Sequence, residues 1–101
     1  MIVEYKGHRY KLESFNSKEH VQVIQFIQKE LKEDGSFELI TDGTTNEEIL
    51  RMLIDRMKSL QEKFPCRENA IVITKLEESL MWLNKRTADR TVRGVEGKYL
   101  K

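Results

Sequence analysis

Apolar residues at three- and four-residue spacing stand on both sides of Pro65, the chain's single proline, and this arrangement constrains the fold more than any other feature. Ile49, Leu53, Met57, Leu60 and Phe64, with Leu50 and Ile54 beside them, form one helical stripe. It must stop before Pro65, because proline lacks the backbone donor and clashes with the preceding turn. From about Arg67 to Arg90 the spacing resumes with Ile73, Leu76, Leu80 and Leu83, and Ile71, Val72, Met81 and Trp82 widen the apolar surface. Two long helices joined by so few residues double back as an antiparallel hairpin. Thr44 and Thr45 each have a glutamate three residues on, Glu47 and Glu48, the spacing of a capping box that opens a helix. Gly94 reads as the terminator of the second helix, where glycine tolerates a left-handed turn.

The first 43 residues change period. Val3 and Tyr5, then Tyr10 and Leu12, alternate on either side of Gly7-His8, which reads as a hairpin. Val21–Gln28 fits two patterns: Val21, Val23, Phe26 and two isoleucines suit a strand, while Val21, Ile24, Ile27 and Leu31 match helical spacing. Glu33-Asp34-Gly35-Ser36 is a turn, and Phe37–Ile40 a short strand ending at Asp42-Gly43. The expected architecture is α+β: a small N-terminal antiparallel β-sheet (1–43), a long helical hairpin (44–93) and a C-terminal tail (94–101), in one domain.

With 101 residues, 39% of them hydrophobic, and a mean hydropathy of −0.60, the chain can fill only one modest core. The second helix nevertheless carries apolar residues on more of its circumference than one partner helix covers, which points to an oligomer. Trp82 fits either the monomer's core or a contact between copies. Apolar runs such as Ala70–Ile73 are far shorter than the roughly 18 residues of a membrane span. A lone cysteine, Cys66, and no charged start leading into an apolar segment suit an intracellular protein.

The net charge is +1, which gives no overall field for gathering a polyanion. The charge is unevenly placed: Lys85, Arg86, Arg90 and Arg93 stand close together with Asp89 as the single carboxylate among them. Arg86, Arg90 and Arg93, spaced four and three, project from one helical face, and their planar forks match phosphate oxygens. Asp89 suits an ion pair with Arg93 at i+4 better than a ribose hydroxyl. Catalytic signatures are weak. His8 and His20 have no ligand or triad spacing and read as surface residues. Cys66 has no predictable base nearby and is expected to be a buried structural thiol. Glu77 and Glu78 are adjacent, so they point about 100° apart on a helix and make no facing acid/base pair.

The run from Cys66 to Arg90, Cys-Arg-Glu-Asn-Ala-Ile-Val-Ile-Thr-Lys-Leu-Glu-Glu-Ser-Leu-Met-Trp-Leu-Asn-Lys-Arg-Thr-Ala-Asp-Arg, followed by Arg93-Gly94-Val95-Glu96-Gly97, resembles the helical hairpin of phage anti-defence sponges. That hairpin is shared by Thoeris anti-defence and anti-CBASS sponges, which capture bacterial immune signalling nucleotides without degrading them. Asp42-Gly43-Thr44-Thr45-Asn46-Glu47-Glu48 after a strand-like segment is similar to the Thoeris type. The resemblance covers roughly residues 35–97. It implies strands for Val21–Gln28, a homo-oligomer, in the family's case a hexamer, and glycocyclic ADP-ribose held in pockets between chains. Some members also take cyclic di- or trinucleotides.

The resemblance implicates Asn69, Arg86 and Arg90 as contacts to the signal, with Arg67 and Arg93 beside them. The inter-helix turn, Leu60 to Pro65, is one residue shorter than the family's pattern and puts Leu60 where an aromatic stacks on the base. No catalytic residue, metal or cofactor is implied, and the protein would act in the cytoplasm of an infected bacterium. Spacing adds its own argument. Asn69 and Arg86 lie seventeen residues apart, about 25 Å along a continuous helix, so serving one pocket requires a second, antiparallel chain. A small nucleic-acid-binding regulator using the arginine-rich helix end is the alternative, which the near-neutral charge disfavours.

Overall fold

A computed structural model describes residues 1–92, so Arg93, Gly94 and the expected tail lie outside the described residues. The chain divides into two compact units, a β unit of residues 1–45 and a helical unit that starts at Asn46. In the β unit, β1 (Ile2–Tyr5), β2 (Arg9–Glu13) and β3 (Val21–Gln25) form an antiparallel sheet in that order. β4 (Gln28–Leu31) and β5 (Phe37–Thr41) form a separate antiparallel pair.

The expected hairpin at Gly7-His8 is the β1–β2 turn: the His8 amide donates to the Tyr5 carbonyl at 2.9 Å, and Gly7 takes φ +81° at the third turn position. Val3 faces Tyr10 and Tyr5 faces Arg9, so Glu4 is the extra residue of a β-bulge. Its carboxylate accepts from Arg9 Nε at 2.6 Å and Lys11 Nζ at 2.9 Å, two cations on one face of β2. The β4–β5 turn holds Gly35 at φ +86°, and Asp34 Oδ1 accepts from the Ser36 amide at 2.9 Å.

Two expectations are corrected here. Val21–Gln28 is extended as expected, but the single small sheet is two: the Phe26 amide makes the last bond on the β2 side, to the His8 carbonyl at 2.7 Å, and Ile27 pairs with Thr44 before β4 begins. Thr44 donates to the Gln25 carbonyl at 2.8 Å and accepts from the Ile27 amide at 2.9 Å. Gly43 therefore serves a close approach: a Cβ there would overlap the Gln25 carbonyl oxygen and lie 2.7 Å from the Phe26 carbonyl carbon. His20 is exposed as expected, but His8 is half-buried. The turn folds its ring to 5.5 Å from that of Tyr5, and Nδ1 is buried without a hydrogen-bond partner among the described residues.

The helical unit is α1 (Asn46–Lys63) and α2 (Arg67–Val92). Thr45 stands just before α1 with Glu48 three residues on, so the second of the two capping boxes matches the helix start, while Thr44 is spent on β pairing. Lys58 pairs with Glu77 across the hairpin at 3.5 Å. Arg51 and Asn84 sit at one end of the inter-helix groove and Lys58 and Glu77 at the other, as antiparallel helices require. The inward residues recur at three, four or their sum: Leu50, Ile54, Met57 and Gln61 on α1, and Asn69, Ile73, Leu76, Leu80, Leu83 and Arg90 on α2. Ile54, still 9% exposed, is the one buried side chain among the described residues, and none of them is fully enclosed. Phe64, expected in the α1 stripe, is 73% exposed, because it lies past the last helical residue.

Two measurements test this part of the molecule. Gly43→Ala is expected to destabilise the β unit by about 1–3 kcal/mol, the usual size of an overpacking cost, read by chemical denaturation. The Glu4 carboxyl, held below the usual glutamate range by its hydrogen bonds to Lys11 and then Arg9, should titrate low by NMR and return upward in Lys11→Met. The sign follows. Because the folded value is depressed, the contribution is present above the unfolded value and is lost as pH falls through the folded one.

Candidate functional site

α2 runs unbroken over 26 residues, so it keeps the candidate ligand residues in two groups. Leu60, Arg67 and Asn69 lie at the inter-helix turn; Arg86 and Arg90 lie about 25 Å or more away along the helix, at 1.5 Å per residue. Arg93 lies outside the described residues.

The turn end is held by an unusual pair of bonds. Gln61 Nε2 donates to the Cys66 carbonyl at 2.9 Å while Gln61 Oε1 accepts from the Cys66 amide at 3.0 Å, so one side-chain amide satisfies both polar groups of one residue. Cys66 in turn caps α2, its Sγ accepting from the Asn69 amide at 3.4 Å. This corrects the expectation of a buried thiol: Cys66 is exposed, because a residue just ahead of a helix turns its side chain toward the free amides rather than into the seam. Asn69 is half-buried at the head of the inward line, and Arg67 faces outward.

At the far end, Trp82, Lys85, Arg86, Asp89, Arg90 and Val92 line one concavity of about 620 Å³. Arg86 is exposed and has no carboxylate partner among the described residues, whereas Arg90 is half-buried on the inward line. Asp89 pairs with Lys85, Nζ to Oδ2 at 2.9 Å, a lysine one turn earlier at the same helical spacing; the expected partner, Arg93, lies outside the described residues. Lys85 and Asp89 thus largely neutralise each other. An arginine fork beside an indole in a shallow hollow can hold a phosphate and a flat ring together. A second hollow of about 430 Å³, lined by Arg67, Ala70, Ile71, Thr74 and Lys75, lies nearer the turn. Arg67, Ile71, Trp82, Lys85 and Asp89 recur at three and four or their sums on the side of α2 turned away from α1, while Arg90 of the inward line forms one edge of the first hollow.

The sequence places Lys85 among the clustered cations but does not single out Trp82 as part of this surface, although its one-turn spacing from Arg86 was there to be read. Gln61 carried no signal at all, because its role depends on the path of the turn. Among the described residues no group of three or more His, Cys, Asp or Glu is placed to hold a metal ion, and no helix is long and apolar enough to cross a membrane. Gln61→Met, which keeps the length and removes both bonds, is expected to cost about 1–3 kcal/mol of stability in chemical denaturation, with Cys66→Ser nearer neutral.

Residues 18–88 match the family described as Acb2/Tad1, hairpin domain. The protein named Thoeris anti-defense 1 of Bacillus phage SBSphiJ7 is 57% identical over 61 residues, which cover 59% of this chain and 43% of that protein. The chain therefore spans less than half the length of that relative. With a β unit ahead of two antiparallel helices and a family match that takes in α1 and most of α2, the chain belongs to the Acb2/Tad1 hairpin-domain family, to which the anti-defence sponges of the Thoeris type belong.

Proposed function

We propose that the protein is a phage anti-defence sponge that binds a bacterial immune signalling nucleotide of the glycocyclic ADP-ribose class and withholds it from its host receptor without degrading it. The observation that carries this reading is the arginine-bearing hollow at the end of α2, on the hairpin of a family with a relative named for Thoeris anti-defence. Arg86 and Arg90 would hold the diphosphate, since guanidinium forks bond phosphate oxygens in pairs. Asn69 would read a base or ribose edge, and Arg67 and Leu60 would close that end; Arg93 would extend the arginine group.

A continuous α2 leaves Asn69 too far from Arg86 for one small nucleotide to touch both in the same chain. The site is therefore shared, with an antiparallel copy bringing its arginines to the Asn69 end, in a homo-oligomer that we take to be a hexamer. Scarcity of buried side chains within one copy supports the same assembly. Sequestration needs affinity and abundance rather than turnover, so the residues named bind and none transforms. The setting would be the cytoplasm of the infected bacterium.

Incubation of the full chain with glycocyclic ADP-ribose, removal of free ligand and heating of the complex should release intact signal. Release of a cleaved product would make the protein an enzyme, and depletion only of cyclic di- or trinucleotides would reassign its ligand. Arg86→Ala is expected to weaken binding by about 1.5–3 kcal/mol in calorimetry, with unfolding little changed. An unchanged Kd would remove Arg86 from the site.

A further inference from the structure

None of the six candidate ligand contacts is aromatic, yet the hollow that holds Arg86 and Arg90 has an indole for a wall. We propose that Trp82 is the stacking platform for the nucleotide's base, so that the platform and the phosphate clamp are successive turns of one helix. This inference rests on the nucleotide-binding reading above and adds to it the residue that recognises the base.

Three observations support it. Trp82 is 62% exposed, a large apolar surface left to water among charged side chains. It precedes Arg86 by four residues, one turn of about 5.4 Å, a separation suited to the sugar that lies between a base and its phosphate. Its neighbours in the hollow are four charged residues, Lys85, Arg86, Asp89 and Arg90, and one apolar residue, Val92. The core of a contact between copies is depleted of charge, so this setting fits a ligand that is flat and apolar on one part and anionic on another better than it fits a second protein surface. The same chemistry is met wherever aromatic faces and cations take up bases and phosphates side by side.

Trp82 is the chain's single tryptophan, so its emission reports on the platform alone. Titration of the chain with glycocyclic ADP-ribose should quench or shift that emission along the same isotherm that calorimetry gives. Inorganic pyrophosphate, which has no base, should leave it nearly unchanged. Trp82→Leu should weaken glycocyclic ADP-ribose about tenfold or more and pyrophosphate hardly at all, and Trp82→Phe should recover most of the loss. Nucleotide binding with unaltered emission, or unaltered affinity in Trp82→Leu, overturns the platform alone and leaves the sponge standing. A weakened Trp82→Leu whose oligomeric mass has also fallen, and which Trp82→Phe does not restore, overturns it in favour of a contact between copies. A wild-type chain that binds no nucleotide in calorimetry overturns the sponge and the platform together.

Discussion

One line of side chains on α1 meeting one line on α2 is the constraint on which the helical unit depends. The two lines keep a three-and-four rhythm, and side chains along them are half-buried rather than enclosed, with Ile54 the most covered of the described residues. A seam that narrow fixes which way every other residue of α2 faces. Asn69 and Arg90 thereby occupy inward positions and Trp82, Lys85 and Asp89 outward ones, so the candidate site residues are distributed by the packing of the hairpin.

The seam also explains what is left over. Ile71, Val72, Met81 and Trp82 widen the apolar surface of α2 beyond what α1 can meet, and all four remain exposed. At the turn the chain spends polar groups instead of apolar area: Gln61 and Cys66 close the connection with three hydrogen bonds where Phe64 contributes little packing. A short, bonded turn suits a hairpin whose ends must be placed reproducibly, since loops without such bonds sample many paths.

Much of this was legible in the sequence because helical and strand periods are written residue by residue. Pro65, the Thr45–Glu48 box and the apolar spacing marked the hairpin and its turn. Gly7 and Gly35 marked the β-hairpin turns, where a positive φ leaves a local signature. What stayed hidden depends on contacts between residues distant in sequence. Gly43 looks like any turn glycine until the segment after it crosses Gln25 and Phe26. Val21–Gln28 could not disclose that it breaks at Phe26, since the cause is Thr44. Cys66 and His8 were misjudged for a related reason: residue type predicts burial on average, and a cap or a tight turn overrides the average. Among the candidate contacts, position along α2 was readable, whereas the hollow that joins Trp82 and Lys85 to Arg86 required three dimensions.

The unbroken course of α2 has a consequence of its own. A rigid helix transmits phase as well as length: each added residue advances the far end by about 1.5 Å but swings it through about 100°. A single insertion between Asn69 and Trp82 would barely change the reach of the arginines, yet it would aim them at a different quarter of space. Change in this stretch is therefore quantised, with steps of seven, or alternately three and four, leaving the two ends in register, so that length is the tolerant coordinate and azimuth the strict one.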